Sequence, residues 1–329
     1  MNTDRTGASK PTGATNNEQS TSAHNNASRL DRARGCLLGQ FIGDALGAPV
    51  EFKTAEQIKA EFPDGVRDMA IPDPWGRIPG QVTDDSQMAM MLARSIDALG
   101  TFDPADVFNR YQYWYSTNPI DIGNTCKLVL SGEGFNPHSE ANGTVMRVSP
   151  LGIYCARDNI STVQAVTFAH EEAALTHPNH VVLDANATFT VGIATAIRTG
   201  DPQATTNAMV DTAQTPEINR ALDDGLRGTY DVYAEHIGWV RLALGLAVAK
   251  LKAVAEGTLT PAEAVVEAIG FGGDTDTNAA ITGALVGAVG GESVWPREWV
   301  DTVLNAEPEL PEVFWAHDLR GLAARLVGH

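Results

Sequence analysis

Cysteine is scarce and scattered in this chain: Cys36, Cys126 and Cys155 are the only three in 329 residues. They form no CxxC pair and no zinc-ligand spacing, which excludes a disulfide scaffold and a zinc finger and leaves reduced thiols as the expectation. Positive charge is also short. Lys and Arg total 23 against 41 Asp and Glu, a formal net charge of −18. A surface that acidic argues against general binding to nucleic acid or an anionic membrane. Long apolar runs are missing: none approaches the roughly 20 residues of a membrane span. The N-terminus lacks the apolar core of a signal peptide, so a cytoplasmic location is expected. Strand-like alternation and a βαβ rhythm are absent too.

Residues 1–29 contain no large apolar side chain after Met1, and composition predicts a disordered polar tail. From Leu30 the pattern changes. "LDRARGCLLGQFIGDALGAPVEF", "SQMAMMLARSIDALG", "GWVRLALGLAVAKLKAVAEG" and "TPAEAVVEAIG" carry apolar residues at helical spacing. Thr260 and Pro261 mark a helix start, and Gly100 marks a helix end. One all-α domain over 30–329 is expected, with no fixed-period repeat. Gly35, Gly39, Gly43 and Gly47 repeat every four residues, as do Gly283, Gly287 and Gly291. A helical glycine costs about 1 kcal/mol relative to alanine, so close helix–helix contact is the expected compensation.

Two acidic clusters stand at predicted helix starts, "VTDDSQ" at 82–87 and "FGGDTDTNAA" at 271–280. Each alone reads as a helix cap with acidic charge in the first turn. Each also offers two carboxylates and a threonine hydroxyl, the hard-oxygen set that Mg²⁺ and Mn²⁺ take. Other motifs fail on the same letters. An EF-hand reading of "DTDTN" needs glycine and glutamate where Ala279 and Leu285 stand. An aspartate-based phosphatase needs a downstream lysine, and none follows Lys252. "GCLLGQFIGDALG" has the wrong spacing for a dinucleotide fingerprint, and "HEEAA" at 170–174 lacks the second histidine of a zinc protease.

The segments "GCLLGQFIGDALGAPVEF", "TDDSQM", "DIGNT", "NGTVMRVSPLG", "ALTHPN" and "GGDTDTNAAITGALVGA", in this order, resemble the ADP-ribosylglycohydrolase family, including the dinitrogenase-reductase-activating type. The resemblance runs from about Arg32 onward. It implies a compact orthogonal multi-helix bundle with a dinuclear centre of two divalent cations, Mg²⁺ or Mn²⁺. It implies hydrolysis of ADP-ribose from mono-ADP-ribosylated protein, with arginine as the expected linkage. Another ADP-ribosyl ester or small ADP-ribose derivative is the alternative within the enzyme class. A third reading is an immunity protein that blocks an ADP-ribosyltransferase toxin through the N-terminal tail. By matching position, Thr83, Asp84, Asp85, Asp274, Asp276 and Thr277 would be the metal ligands. Asp85, Asp84 and Glu51 would serve catalysis, with Asp85 preferred for orienting water and Glu51 competing as base. Asp44, Gly123, Asn124, Asn142, Gly143, Thr144, Met146, Arg147 and His177 would bind ADP-ribose; Thr144 replaces the family's usual serine or alanine.

Overall fold

The computed structural model describes residue 1, residues 15–233 and residues 235–329. These residues form fifteen α-helices and no strand. In order they are α1 Thr15–Gly47, α2 Ala55–Glu61, α3 Asp84–Leu99, α4 Pro104–Ser116, α5 Asn124–Leu130, α6 Ser149–Cys155, α7 Thr162–Ala174 and α8 His180–Thr199. Then come α9 Pro202–Thr212, α10 Pro216–Arg227, α11 Val240–Ala255, α12 Pro261–Gly270, α13 Thr275–Gly290, α14 Arg297–Leu304 and α15 Leu319–Val327. The expected all-α class is what the chain adopts. Of the expected tail, residues 2–14 lie outside the described residues, and α1 begins within it, at Thr15.

The glycine repeats explain the central pair. Helices α1 and α13 run antiparallel with backbone against backbone. A Cβ on Gly39 would sit 2.2 Å from the carbonyl oxygen of Gly283, and one on Gly287 would sit 2.1 Å from that of Gly35. No side chain fits there, so glycine is required by proximity. Trp295 seals the contact, donating its indole N–H to the carbonyl of Gly35 (2.8 Å). The antiparallel register brings the C-terminus of α1 to the N-terminus of α13, where the Thr275 hydroxyl donates to the Gly47 carbonyl (2.8 Å). Both acidic clusters therefore converge on one end of this pair.

Helix α8 has the length and apolar composition of a membrane span, contrary to the reading that no run comes close. It is a core helix, 83% buried across its apolar window. It carries buried polar side chains that find partners inside the protein: Asn186 donates to Glu172, and Asp184 accepts from the backbone of Gln214 and Thr215.

Two isolated β-bridges fasten loops to the same end of the bundle. Thr54 pairs with Gly272, and Ala141 pairs with Trp239. The first ties the turn after α1 to the loop before α13. The second ties the loop before Asn142 to the segment entering α11.

Candidate active site

The expected caps are not what holds the two acidic helix starts. Thr83 occupies the N-cap of α3 and Asp274 the N-cap of α13, yet neither side chain makes a capping hydrogen bond. Asp44 on α1 does that work for α3. Its Oδ1 accepts from the Thr83 N–H (2.9 Å) and its Oδ2 from the Ser86 N–H (3.0 Å). The carboxylates of Asp84 and Asp85 are thus left free of helix capping, whereas at α13 Asp276 Oδ1 accepts the first-turn N–H of Thr277 (2.9 Å).

Of the four aspartates in the two clusters, all but Asp85 gather at the floor of a cavity of about 500 Å³. Asp84, Asp274, Asp276 and Thr277 line it, together with Glu51 and Asp121. Carboxylate oxygens of Glu51, Asp121 and Asp276 all lie within 4.8 Å of one another. Asp84 accepts from the Gly123 N–H (3.1 Å), and Asp274 accepts from the Asn142 carboxamide (2.7 Å). Asp85 sits one step behind, where the hydroxyls of Thr277 (3.3 Å) and Thr83 (3.4 Å) donate to its Oδ2. Its Oδ1 is buried without a partner.

This crowding has an electrostatic signature. Burial, reinforced by repulsion from Asp121, pushes Asp84 up to about 8. Burial and the charges of Asp121 and Asp274 push Glu51 up to about 9. Asp85 and Asp276 rise well above the carboxylate range for the same reasons. Among the described residues, the cation within ion-pair reach of the cluster is Arg77, 3.8 Å from Asp121. It is already held by Asp73 (2.8 Å) and by the Ala48 carbonyl (3.0 Å). One guanidinium cannot balance six carboxylates. The donor set, all hard oxygens with an orphaned carboxylate oxygen among them, fits a divalent cation.

The other end of the cavity is neutral. Gly123, Asn124, Asn142, Gly143, Met146 and His177 line it, and Gly123 and Asn142 border the acidic floor through Asp84 and Asp274. His177 is buried, and burial together with the charge of Arg147 lowers its pKa to about 3. Its Nδ1 lies 2.8 Å from the Thr176 hydroxyl, which itself accepts from Arg147 (2.9 Å). With that hydroxyl donating to Nδ1, the imidazole N–H would stand on Nε2, the atom beside Gly143.

Three residues expected to touch ADP-ribose stand elsewhere. Asp44 is fully buried as the cap of α3. Arg147 is fully buried and pairs with Glu172 (2.6 Å), which also accepts from Tyr111 (2.8 Å). Thr144 is buried, with its hydroxyl unpartnered. All three support the wall and do not line it. Asp121 is the residue the sequence reading missed. It sits in "DIGNT", next to the recognised glycine and asparagine, but a lone aspartate in a loop gave no pairing signal.

The family model for ADP-ribosylglycohydrolase matches residues 25–329. The chain belongs to the ADP-ribosylglycohydrolase family. An ADP-ribosyl-[dinitrogen reductase] glycohydrolase of Rhodospirillum rubrum is 30% identical, over 85% of this chain and 93% of that one. An ADP-ribosylarginine hydrolase, Tri1, of Pseudomonas putida is 29% identical, over 90% of this chain and 78% of that one. A solved structure described as an ADP-ribosylglycohydrolase-related protein complex superposes with a TM-score of 0.72 at 27% identity, covering 92% of this chain and 98% of that one. Membership makes the chain an enzyme, a glycohydrolase acting on ADP-ribosyl linkages, and its cavity the candidate active site.

Proposed function

We propose that the protein hydrolyses the bond between ADP-ribose and an arginine side chain of a modified protein, with Mg²⁺ or Mn²⁺ bound at the carboxylate floor. The observation that carries this reading is the convergence of two acidic helix starts on one buried cluster of carboxylates. Thr83, Asp84, Asp85, Asp274, Asp276 and Thr277 would hold the cations. Bound there, divalent cations neutralise the carboxylates and acidify water, so that hydroxide is available near neutral pH.

The chain's own groups divide the rest of the work. The neutral end receives the ADP moiety: the Gly143 N–H and the His177 imidazole suit a diphosphate better than any charged wall would, the Gly123 and Asn142 N–H groups being held already by Asp84 and the Gly238 carbonyl. The acidic end meets the ribose and the leaving group. C1″ develops positive charge as its bond to the guanidine nitrogen lengthens, and nearby carboxylates favour that charge. Water adds its oxygen to C1″, one of its protons passes to a carboxylate, and the guanidine leaves and takes up a proton. Asp85 does not line the cavity, so Glu51 and Asp121 are the better placed groups for these transfers. The guanidinium of the modified arginine is cationic, which suits an acidic floor, and the named activity of the Pseudomonas relative, an ADP-ribosylarginine hydrolase, supports the same linkage.

The test is turnover of an ADP-ribosylarginine protein with Mg²⁺ or Mn²⁺ and with chelator. Release of ADP-ribose that requires cation is the expected result. Release unaffected by chelation removes the metal role, and no release with either cation removes the activity.

A further inference from the structure

The turn that carries Glu51 also carries an aromatic side chain in an unfavourable position on two counts. Phe52 has φ = 66°, a left-handed conformation that a bulky side chain adopts only under constraint. It is also 60% exposed, so its ring gains little burial in return. The constraint is visible. The Phe52 N–H donates to the Gly273 carbonyl (2.8 Å), the Gly273 N–H donates to the Lys53 carbonyl (2.9 Å), and Thr54 bridges to Gly272. The fold thus clamps this turn to the loop that leads into Asp274, and leaves the ring outside.

Beside it stands a second apolar side chain. Ile237 is 37% exposed and packs on Gly273, whose missing Cβ would lie 2.7 Å from the Ile237 Cγ2. Both Phe52 and Ile237 line the cavity at the end where Glu51, Asp274 and Asp276 converge. An apolar pair on the rim of a carboxylate floor does not suit the diphosphate or the ribose, which are polar, and the adenine lies beyond the diphosphate, at the neutral end. What extends past the reacting carbon on that side is the acceptor: the three-methylene stem of the modified arginine and the residues of the protein that bears it.

We infer that Phe52, supported by Ile237, forms an apolar lip that receives the protein side of the substrate. The inference rests on the arginine-directed hydrolysis proposed above and adds where the modified protein docks. Backbone strain at Phe52 is the counterpart of this role, since it turns the ring towards an incoming stem and away from the core. The occupant is an aliphatic stem with apolar flanking residues, and the floor beneath it receives the cationic guanidinium.

Two substrates with the same scissile bond separate the lip from the chemistry: an ADP-ribosylarginine protein and ADP-ribosylguanidine, which has neither stem nor flanks. Phe52→Asn removes the ring and keeps a residue that tolerates positive φ; Phe52→Gly does the same with less constraint. For both variants the ratio of kcat/KM on protein to kcat/KM on guanidine should fall about tenfold, mainly through KM on the protein. Their thermal midpoints should match or exceed that of the unmodified chain, because strain is relieved. An unchanged ratio overturns the lip, whether both substrates hold their rates or both lose them equally; equal loss would mean that Phe52 serves only to place Glu51. Wild-type protein that turns over neither substrate overturns the proposed function itself, and the lip with it.

Discussion

Asp44 shows how a residue can be found for one reason and matter for another. Its neighbours in "GDALGAPVEF" mark it, but its partners, the N–H groups of Thr83 and Ser86, lie 39 and 42 residues away. No local pattern reveals a cap supplied from another helix. Asp44→Ala would leave two buried donors unsatisfied at the start of α3, at about 1–3 kcal/mol each. Chemical denaturation should show a loss in that range or above, and cation affinity should fall because Asp84 and Asp85 lose their frame. Asp44→Asn keeps one acceptor and should lose less; equal stability of the alanine variant and the unmodified chain would refute the cap. Arg147 and Asp121 escape the sequence pattern for the same physical reason, in opposite directions. Sequence order places Arg147 beside the cavity wall, yet its charge is spent on Glu172 inside the wall. Asp121 looks like a loop aspartate until the fold sets it within 4.8 Å of Glu51 and Asp276. Which way a side chain points from a correctly identified segment is decided by tertiary packing.

At the scale of elements, the glycine repeats of α1 and α13 were readable because periodicity survives folding: residues four apart share a helix face wherever the helix goes. Their partner was readable as well, since two bare ridges in one chain match each other best. The direction of packing was not, and it is the antiparallel register that puts Asp44, Asp85 and Asp276 at one end. Gly39→Ala should already destabilise, because its Cβ would lie 2.2 Å from the Gly283 carbonyl oxygen and 2.4 Å from the ring of Trp295, which its bond to the Gly35 carbonyl holds in place. Overpacking of this kind costs about 1–3 kcal/mol, and Gly39→Leu should exceed it. Thermal unfolding of Gly39→Ala at the wild-type midpoint would mean that the two helices separate more easily than their contact implies. The starts of α3 and α13 were read correctly in position, at "TDDS" and "GGDTDT". The helix caps expected there were not, because Thr83 and Asp274 turn their side chains to other work.

The whole molecule keeps a net charge of −18 and then concentrates carboxylates at one buried floor, so its stability must respond to protons and to cations together. In the folded, metal-free chain Asp84 is pushed up to about 8 and Glu51 to about 9, whereas both fall to about 4 once unfolded. Between those limits the folded state holds protons that the unfolded state has released. Stability therefore falls as pH rises through this window, and the contribution is fully present only below the unfolded values. A divalent cation competes with those protons and binds only the folded site, so its stabilisation should grow with pH. Melting temperatures at pH 6 and pH 8.5, each with chelator and with saturating Mg²⁺ or Mn²⁺, measure this directly. The gap between chelated and loaded protein should widen at pH 8.5. Asp276→Asn sharpens the expectation, because it removes one repelling charge and one candidate ligand together. In chelator it should melt above the unmodified chain; with cation it should gain little and turn over no ADP-ribosylarginine protein. An Asp276→Asn protein that is destabilised in chelator yet keeps the full cation-dependent gain would show that this floor is held together by its own hydrogen bonds, and that the cations bind somewhere else.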